Sequence, residues 1–291
     1  ARPTQQEMVW IRSGQTLLGF LHLNAAPKQE VKPLLEKKIT ALAYERMQDQ
    51  EGRYPVLEPL SQIGGRMAAT LAARLLQNDS GSRGVLLGGV PGVPPAEVVI
   101  LGCGTAGANA ARAFLGLGAQ VTLLDKDLQR LRSLECGLPS RPVTMLSNPH
   151  TLQTAFSFAD VVVGAVRVPG SRAPVIVTRE LLAAMKPGAL FIDLSIDEGG
   201  CAVTSRPTSH ETPTFIEEGV MHCCIPNLPS AVARTSSHAF QIAAWPFVES
   251  IITKGVDTAL QEDEGMAKGA MVQNGEAVSY RPVNYLEEVE E

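Results

Sequence analysis

The 291-residue sequence has no uncharged apolar run near the ~18 residues that a membrane-crossing helix needs. Its start also lacks the basic stretch and apolar run of an export signal. A cytosolic protein is therefore expected. There is no surplus of basic residues either: 25 Lys and Arg stand against 30 Asp and Glu, a formal net charge of −5. Nucleic acids are held chiefly by cations on their phosphates, so no nucleic-acid partner and no membrane partner is expected. Five cysteines, Cys103, Cys136, Cys201, Cys223 and Cys224, include no CxxC pair, which argues against a zinc site or a disulfide framework. Buried reduced thiols and no metal are expected, with the adjacent Cys223 and Cys224 on opposite faces of a strand. No solenoid-type repeat occurs. What remains, 45% apolar and 19% charged residues, suits a globular chain of two ordinary domains or one large α/β domain.

The chain is organised around Val98 to Asp125, VVILGCGTAGANAARAFLGLGAQVTLLD. A short apolar run, Val98 to Leu101, reads as a strand buried on both faces. It ends in a glycine-spaced turn, Gly102-Cys-Gly104-Thr-Ala-Gly107. A helix from Ala106 to Leu117 follows, with Gly118 as its C-cap, and then a second strand from Val121 to Leu124. Gly102 permits the tight turn, Gly104 lets backbone approach a pyrophosphate, and Gly107 lets the helix sit close on the strand. Asp125, eighteen positions after Gly107, is placed to accept hydrogen bonds from an adenosine ribose. Its charge opposes a 2′-phosphate and so favours NAD over NADP, although Lys126 and Arg130 stand nearby. A dinucleotide site is expected here.

Before this unit, residues 1–15 look like a helix entered partway. Strands are expected at Thr16 to Leu23 and Thr40 to Met47, with a helix from Lys28 to Lys38 between them. Apolar residues every four positions from Ile63 to Leu75 predict a helix over Ser61 to Gln77, with Ser61 as its N-cap. Gly64-Gly65 would let another element pack close. Residues 78–95 form a turn-rich bridge, either a domain crossing or a surface loop. After Asp125 come a helix at Leu128 to Leu134, a strand within Phe156 to Val168, a Thr178-capped helix ended by Pro187-Gly188, and strands at Ala189 to Ile196 and Val220 to Pro226. A long helix, Ser236 to Ile252, carries Pro246 and leads away from the sheet, a short one covers Glu262 to Gly269, and residues 285–291 form an acidic tail. The alternation predicts an α/β fold with a Rossmann-type, doubly wound parallel sheet over residues 60–232. Residues 1–59 and 233–291 would make a second, discontinuous α/β domain.

In such sheets ligands gather beyond the carboxyl ends of the strands, which groups Ala165-Val166, Asp197 and Ile225 to Asn227 with the glycine turn. Asp197 could accept a proton or hold an amine or water, or it could simply cap the Gly199-Gly200 turn. His22 closes a strand of the other unit. An imidazole ordinarily titrates near ~6.5 and can serve as acid and base in turn, which suits oxidation of an alcohol or amine. By position alone, His150, His210, His222 and His238 have no better claim, and a packing role for His22 stays open.

The stretches SGQTLLGFLHL, PLSQIGGRMAA, RGVLLGGVPGVPPAEVVILGCGTAG, VGAVRVPG, MKPGALFIDLSIDEGG, SRPT and IPNLP resemble the alanine dehydrogenase family, relatives of the NAD-binding component of proton-translocating transhydrogenase. The resemblance covers nearly the whole chain. It implies a two-domain enzyme, usually a homohexamer, that interconverts L-alanine with pyruvate and ammonia using NAD. The family's histidine acid/base matches His22, and its aspartate beside the reacting carbon matches Asp197. Cofactor contacts match Ser61, Gly102, Gly104, Thr105, Ala106, Gly107, Asp125, Arg130, Ser147, Val166, Ile225 and Asn227. Leu228 stands where relatives often carry methionine. Family members also have a preceding segment whose arginine and lysine hold the substrate carboxylate, and Ala1 stands about where that lysine is expected. The sequence is expected to be a fragment or a shortened relative, with Arg12 or Lys28 as conceivable substitutes. A transhydrogenase subunit and a non-catalytic NAD-binding protein are the alternatives. The histidine of FLHL and the lack of a membrane segment speak against the first.

Overall fold

In the computed structural model, residues 2–4, 6–138 and 140–280 are described, so the expected acidic tail lies outside them. The chain opens with β1 (Thr16–Gly19), α1 (Lys28–Glu36), β2 (Thr40–Ala43) and α2 (Glu58–Leu75). The central part continues through β3 (Glu97–Leu101), α3 (Thr105–Gly116), β4 (Gln120–Asp125), α4 (Leu128–Gly137), β5 (Val143–Leu146), α5 (Pro149–Phe158) and β6 (Val161–Gly164). Then come α6 (Arg179–Ala183), β7 (Leu190–Asp193), β8 (Phe215–Glu217) and β9 (Val220–Cys223). The chain closes with α7 (Ala233–Lys254), α8 (Val256–Glu262), α9 (Glu264–Ala267), β10 (Ala270–Gln273) and β11 (Glu276–Ala277). Two compact units result. One holds the described residues up to Leu60, Pro169–Ser171 and those from Arg234 onward, and the other Ser61–Val168 with Arg172–Ala233.

The second unit is a seven-stranded sheet in the order β5-β4-β3-β6-β7-β9-β8. All its pairings are parallel except that of the edge strand β8 with β9. Both faces are covered, as near-continuous Val, Ile and Leu strands require. Val98, Ile100, Val161, Val163, Leu190 and Ile192 face one core with Ala68, Ala72, Ala110 and Phe114 of α2 and α3. Val99, Leu101, Val162 and Phe191, one residue out of phase, face another with Leu152, Phe156, Leu181 and Leu182 of α5 and α6. Phe114, Phe156 and Phe191 are fully buried, each contributing about 1.5–3 kcal/mol relative to exposure. Residues 78–95 lie wholly within this unit, which makes them a loop and not a domain crossing.

The first unit has a four-stranded sheet, β1-β2-β10-β11, with β1 parallel and β10 antiparallel to β2. Asn274-Gly275, both at positive φ, turn β10 into β11. An aromatic cluster of Phe20, Tyr44 and Phe240 packs with ring centroids 5.2 to 5.8 Å apart.

Several expected boundaries move for identifiable reasons. The helix expected in residues 1–15 is a single turn, Glu7–Val9, pinned by the Lys37 ammonium on the Met8 and Ile11 carbonyls. The helix expected from Ser61 begins at Glu58, so Ser61 is not its N-cap but lies within it. Pro59 is in its first turn, where a missing N–H costs nothing. Phe156 belongs to α5 and not to a strand; Asn148 and Thr151 form a capping box that spans Pro149.

His222, on β9, is fully buried, stacked on Phe215 at 4.8 Å and edge-on to Phe191. The Val220 carbonyl, 3.0 Å from Nδ1, can only accept, so Nδ1 carries the proton and Nε2 accepts from the Thr204 hydroxyl at 2.8 Å. Burial holds this imidazole below its ordinary value. The unfolded chain therefore binds a proton at a pH where the folded ring does not. The neutral ring's contribution is complete above ~6.5 and is lost as pH falls through the depressed folded value, by at most about 1.4 kcal/mol per pH unit. His222→Gln is expected to flatten the fall in denaturant-unfolding stability between pH 7.5 and 5; an unchanged slope would contradict this.

Candidate functional site

The strand order reverses between β3 and β6, and the glycine turn lies at that switch point. Gly102, at φ +92°, runs so close to the next loop that a Cβ would lie 2.5 Å from the Ala165 carbonyl oxygen and 3.2 Å from Val166. A Cβ on Gly107 would overlap the Gly102 carbonyl, and one on Gly65 would overlap that of Ala106, so α3 is seated backbone to backbone on both β3 and α2. Around Gly104, by contrast, nothing lies within 4 Å of a Cβ position. Gly104 is the N-cap of the twelve-residue α3 and offers no side chain to its first N–H groups. Open space thus meets unsatisfied donors and a helix N-terminus, the features a pyrophosphate requires.

Asp125 ends β4 and is buried at 9% exposure. Its carboxylate accepts from the N–H of Cys103 at 2.6 Å and of Asp127 at 2.8 Å, tying the acid to the glycine turn. Two acceptor positions are left for ribose hydroxyls. Arg130 is exposed, 4.0 Å from Asp125 and 3.5 Å from Asp127, which caps α4. Thr105 and Ala106 open α3, and Ser147 continues the ladder past β5 by donating its N–H to the Asp125 carbonyl. These groups fit a dinucleotide. The Cys103 thiol, pushed up to about 12 by burial and by Asp125, stays protonated and acts as filler beside the turn.

On the other side of the switch point, Val166 follows β6, and its carbonyl accepts from the Ser195 hydroxyl at 2.8 Å. Asp197 sits in the turn Ile196–Glu198 after β7, half-buried. Both of its oxygens accept from the backbone N–H of Asn227, at 3.1 and 3.2 Å. Asn227, at φ +47°, follows the buried Ile225 beyond β9. Asp197 therefore does not cap the Gly199-Gly200 turn, whose N–H groups go to the Ile196 and Ser195 carbonyls. It links the loops after β7 and β9 and keeps lone pairs for a further donor. Arg167 pairs with Glu198 at 2.8 Å beside it.

His22 is in the other unit, beyond the end of β1 and not on a strand: β1 stops at Gly19. The buried Glu45 accounts for the difference. Its carboxylate accepts from the N–H of Leu21 at 3.2 Å and of His22 at 2.6 Å, taking both out of the ladder. His22 is left at φ +43°, uncommon for a side chain of its size, with its ring roughly parallel to Phe20 at 6.4 Å.

Residues 68–280 match the family described as alanine dehydrogenase/PNT, C-terminal domain, and residues 1–64 its N-terminal domain. The chain belongs to the alanine dehydrogenase/PNT family. Alanine dehydrogenase of Halomonas elongata is 44% identical over 281 residues, covering 97% of this chain and 75% of that protein. Alanine dehydrogenase of Mycobacterium tuberculosis is 43% identical over 279 residues, covering 96% and 75%. A solved L-alanine dehydrogenase matches with a TM-score of 0.85 at 41% identity, over 95% of this chain and 76% of that one. Transhydrogenase from Sinorhizobium meliloti, at 22% identity and a TM-score of 0.72, covers 95% of this chain and 77% of its own and shares the fold.

In this member of the alanine dehydrogenase/PNT family the second unit brings together Gly102, Gly104, Thr105, Ala106, Gly107, Asp125 and Arg130 on one side of the switch point, with Val166, Asp197, Ile225 and Asn227 on the other. His150, His210 and His238 are exposed. All five cysteines are free; Cys136 departs from the expectation of burial, being exposed near the end of α4. Three supporting residues escape sequence reasoning. Glu45 was read as strand, Ser195 as part of the strand from Ala189, and Asp193 as an interior position of that same strand. An acid closing a run as apolar as Leu190 to Ile192 is the signal that could have singled out Asp193. Among the described residues, no helix is long and apolar enough to cross a membrane.

Proposed function

We propose that the protein is an NAD-dependent alanine dehydrogenase, converting L-alanine and water to pyruvate and ammonium, reversibly. The observation that carries it is the match along nearly the whole chain to proteins of that name, joined to a glycine turn whose ribose acid, Asp125, is held in place. NAD, when bound, supplies the hydride acceptor. Gly104 and the start of α3 would hold its pyrophosphate, and Asp125 its adenosine ribose. Ser61, Arg130 and Ser147 would add contacts on the same side, with Val166, Ile225 and Asn227 near the nicotinamide.

His22 is the residue proposed to move protons. Loss of hydride from the α-carbon leaves an imine; water adds to it, and the imidazole takes the water's proton and returns one to the departing amine. The αL backbone held by Glu45 fixes where the ring begins. Asp197, anchored on the Asn227 N–H, is proposed to accept a hydrogen bond from that water or from ammonium, stabilising positive charge next to the carbon. The family resemblance further implies a homo-oligomer and a cytoplasmic location.

The test is NADH absorbance with L-alanine and NAD. The proposal expects NADH with NAD and far less with NADP, because Asp125 opposes a 2′-phosphate. Bound NADH without turnover of any small amino acid would overturn it in favour of a cofactor-binding protein.

A further inference from the structure

Asp193 ends β7 with 1% of its surface exposed, and every group its carboxylate meets is a donor. Oδ1 accepts from the Ser195 N–H at 2.8 Å and lies 3.5 Å from the Cys201 sulfur. Oδ2 accepts from the Cys201 N–H at 2.8 Å and the Ser205 hydroxyl at 2.5 Å. Two of these donors are backbone N–H groups, which cannot reverse their role, and they stand on either side of the segment that carries Asp197. We propose that Asp193 is a positioning residue for the reaction, its carboxylate closing the loop of residues 194–205 so that Asp197 and the Val166 carbonyl keep one orientation. This rests on Asp197 acting beside the reacting carbon.

The loop is built around that carboxylate. Between the two anchored N–H groups, the chain turns back on itself: the Ser195 carbonyl receives the N–H of Glu198 at 3.0 Å and of Gly200 at 3.1 Å, with Asp197 within the turn. Gly200 stands at φ +80°, where a Cβ would lie 3.0 Å from Asp193 Oδ2 and 2.5 Å from the Ser205 Cβ. A Cβ on Gly164, the neighbour of Asp193 across the sheet, would overlap the Cys201 sulfur. Glycine at both places lets the backbone close on the acid. From the same turn the Ser195 hydroxyl reaches the Val166 carbonyl, so one buried group governs the loops after both β6 and β7. Asp193 itself touches no open space; it acts through Ser195 and the 196–198 turn. Burial pushes its carboxyl above the usual carboxylate range, while Ser205 and the N–H groups of Cys201 and Ser195 pull it down.

Asp193→Asn keeps the shape but puts an amide NH2 where an N–H donor must be met, releasing one end of the loop. The experiment is a double-mutant cycle of Asp193→Asn and Asp197→Asn in the intact enzyme, reading kcat, the KM for alanine, NADH affinity and Tm. Coupled residues share one loss. Asp193→Asn is expected to lower kcat about 10- to 100-fold with NADH affinity within about 3-fold, and the further effect of Asp197→Asn on that background is expected to shrink to about 3-fold or less. Losses that multiply, or a parallel fall in kcat, NADH affinity and Tm, would make Asp193 a strut of the fold and overturn the proposal. Wild-type turnover in Asp197→Asn alone would remove the role of Asp197 itself, and this proposal with it. If Asp193→Asn does not fold, Ser195→Ala, which keeps its N–H on Asp193 but frees the Val166 carbonyl, replaces it in the same cycle with the same criteria.

Discussion

His22→Ala is expected to lower alanine-dependent NADH formation at saturating substrate by about 10²–10⁴-fold, the range general acid–base catalysis supplies. The substitution is clean because the backbone at this position is fixed by something other than the imidazole. Glu45 accepts the N–H of His22, and the Arg2 guanidinium donates to its carbonyl at 3.0 Å. His22→Asn is the companion variant, since asparagine tolerates the left-handed conformation at φ +43°. Both should fold, and both should bind NADH as the wild type does, because the glycine turn and Asp125 belong to the other unit. Steady-state kinetics with NADH fluorescence titration checks this. Unchanged kcat would remove His22 from the mechanism, and lost NADH binding would mean the residue supports the fold.

Gly107→Ala has the second large effect, and it falls on binding and stability together. The added Cβ would overlap the Gly102 carbonyl, so α3 must lift away from β3. It has little room to do so. The backbone of α3 already meets α2 at Gly65, and Gly102 is itself pressed against the Ala165 carbonyl. Overpacking of this kind costs about 1–3 kcal/mol of stability, and if half of that strain reaches the cofactor site, NADH affinity falls about 2- to 12-fold. Gly104→Ala separates the two effects: its Cβ meets no protein atom within 4 Å, so stability should hold while NADH affinity falls, because it fills the space proposed for the pyrophosphate. Thermal unfolding and NADH titration on both variants read the difference. Equal NADH affinity in Gly104→Ala and wild type would contradict the assignment of the turn.

How much could be read from residue order follows from how local each determinant is. The unit from Val98 to Asp125 was legible because its strand, turn and helix are set by neighbours; Gly118, at φ +83°, stands one place beyond the C-cap Leu117, where it was expected as the cap itself. α5 was missed although its signal, Asn-Pro-His-Thr, is local. The hairpin at Asn274-Gly275 was missed in the same way. The end of β1 was not legible, because a carboxylate more than twenty positions away takes the Leu21 and His22 N–H groups. The anchoring of Asp197 and Asp193 was hidden for the same reason: their partners, Asn227, Cys201 and Ser205, come from later turns. The proposed catalytic role of His22 came from family resemblance, since five histidines offered no order among themselves, whereas Asp197 was already singled out by its place beyond a strand end.

The most direct measurement uses L-alanine deuterated at the α-carbon, incubated with NAD and the protein, with the reduced cofactor analysed by mass spectrometry and proton NMR. Deuterium recovered at C4 of the nicotinamide, in amounts equal to the pyruvate formed, is the predicted result. Reduced cofactor without deuterium, or bound cofactor that is never reduced, would contradict direct hydride transfer from alanine.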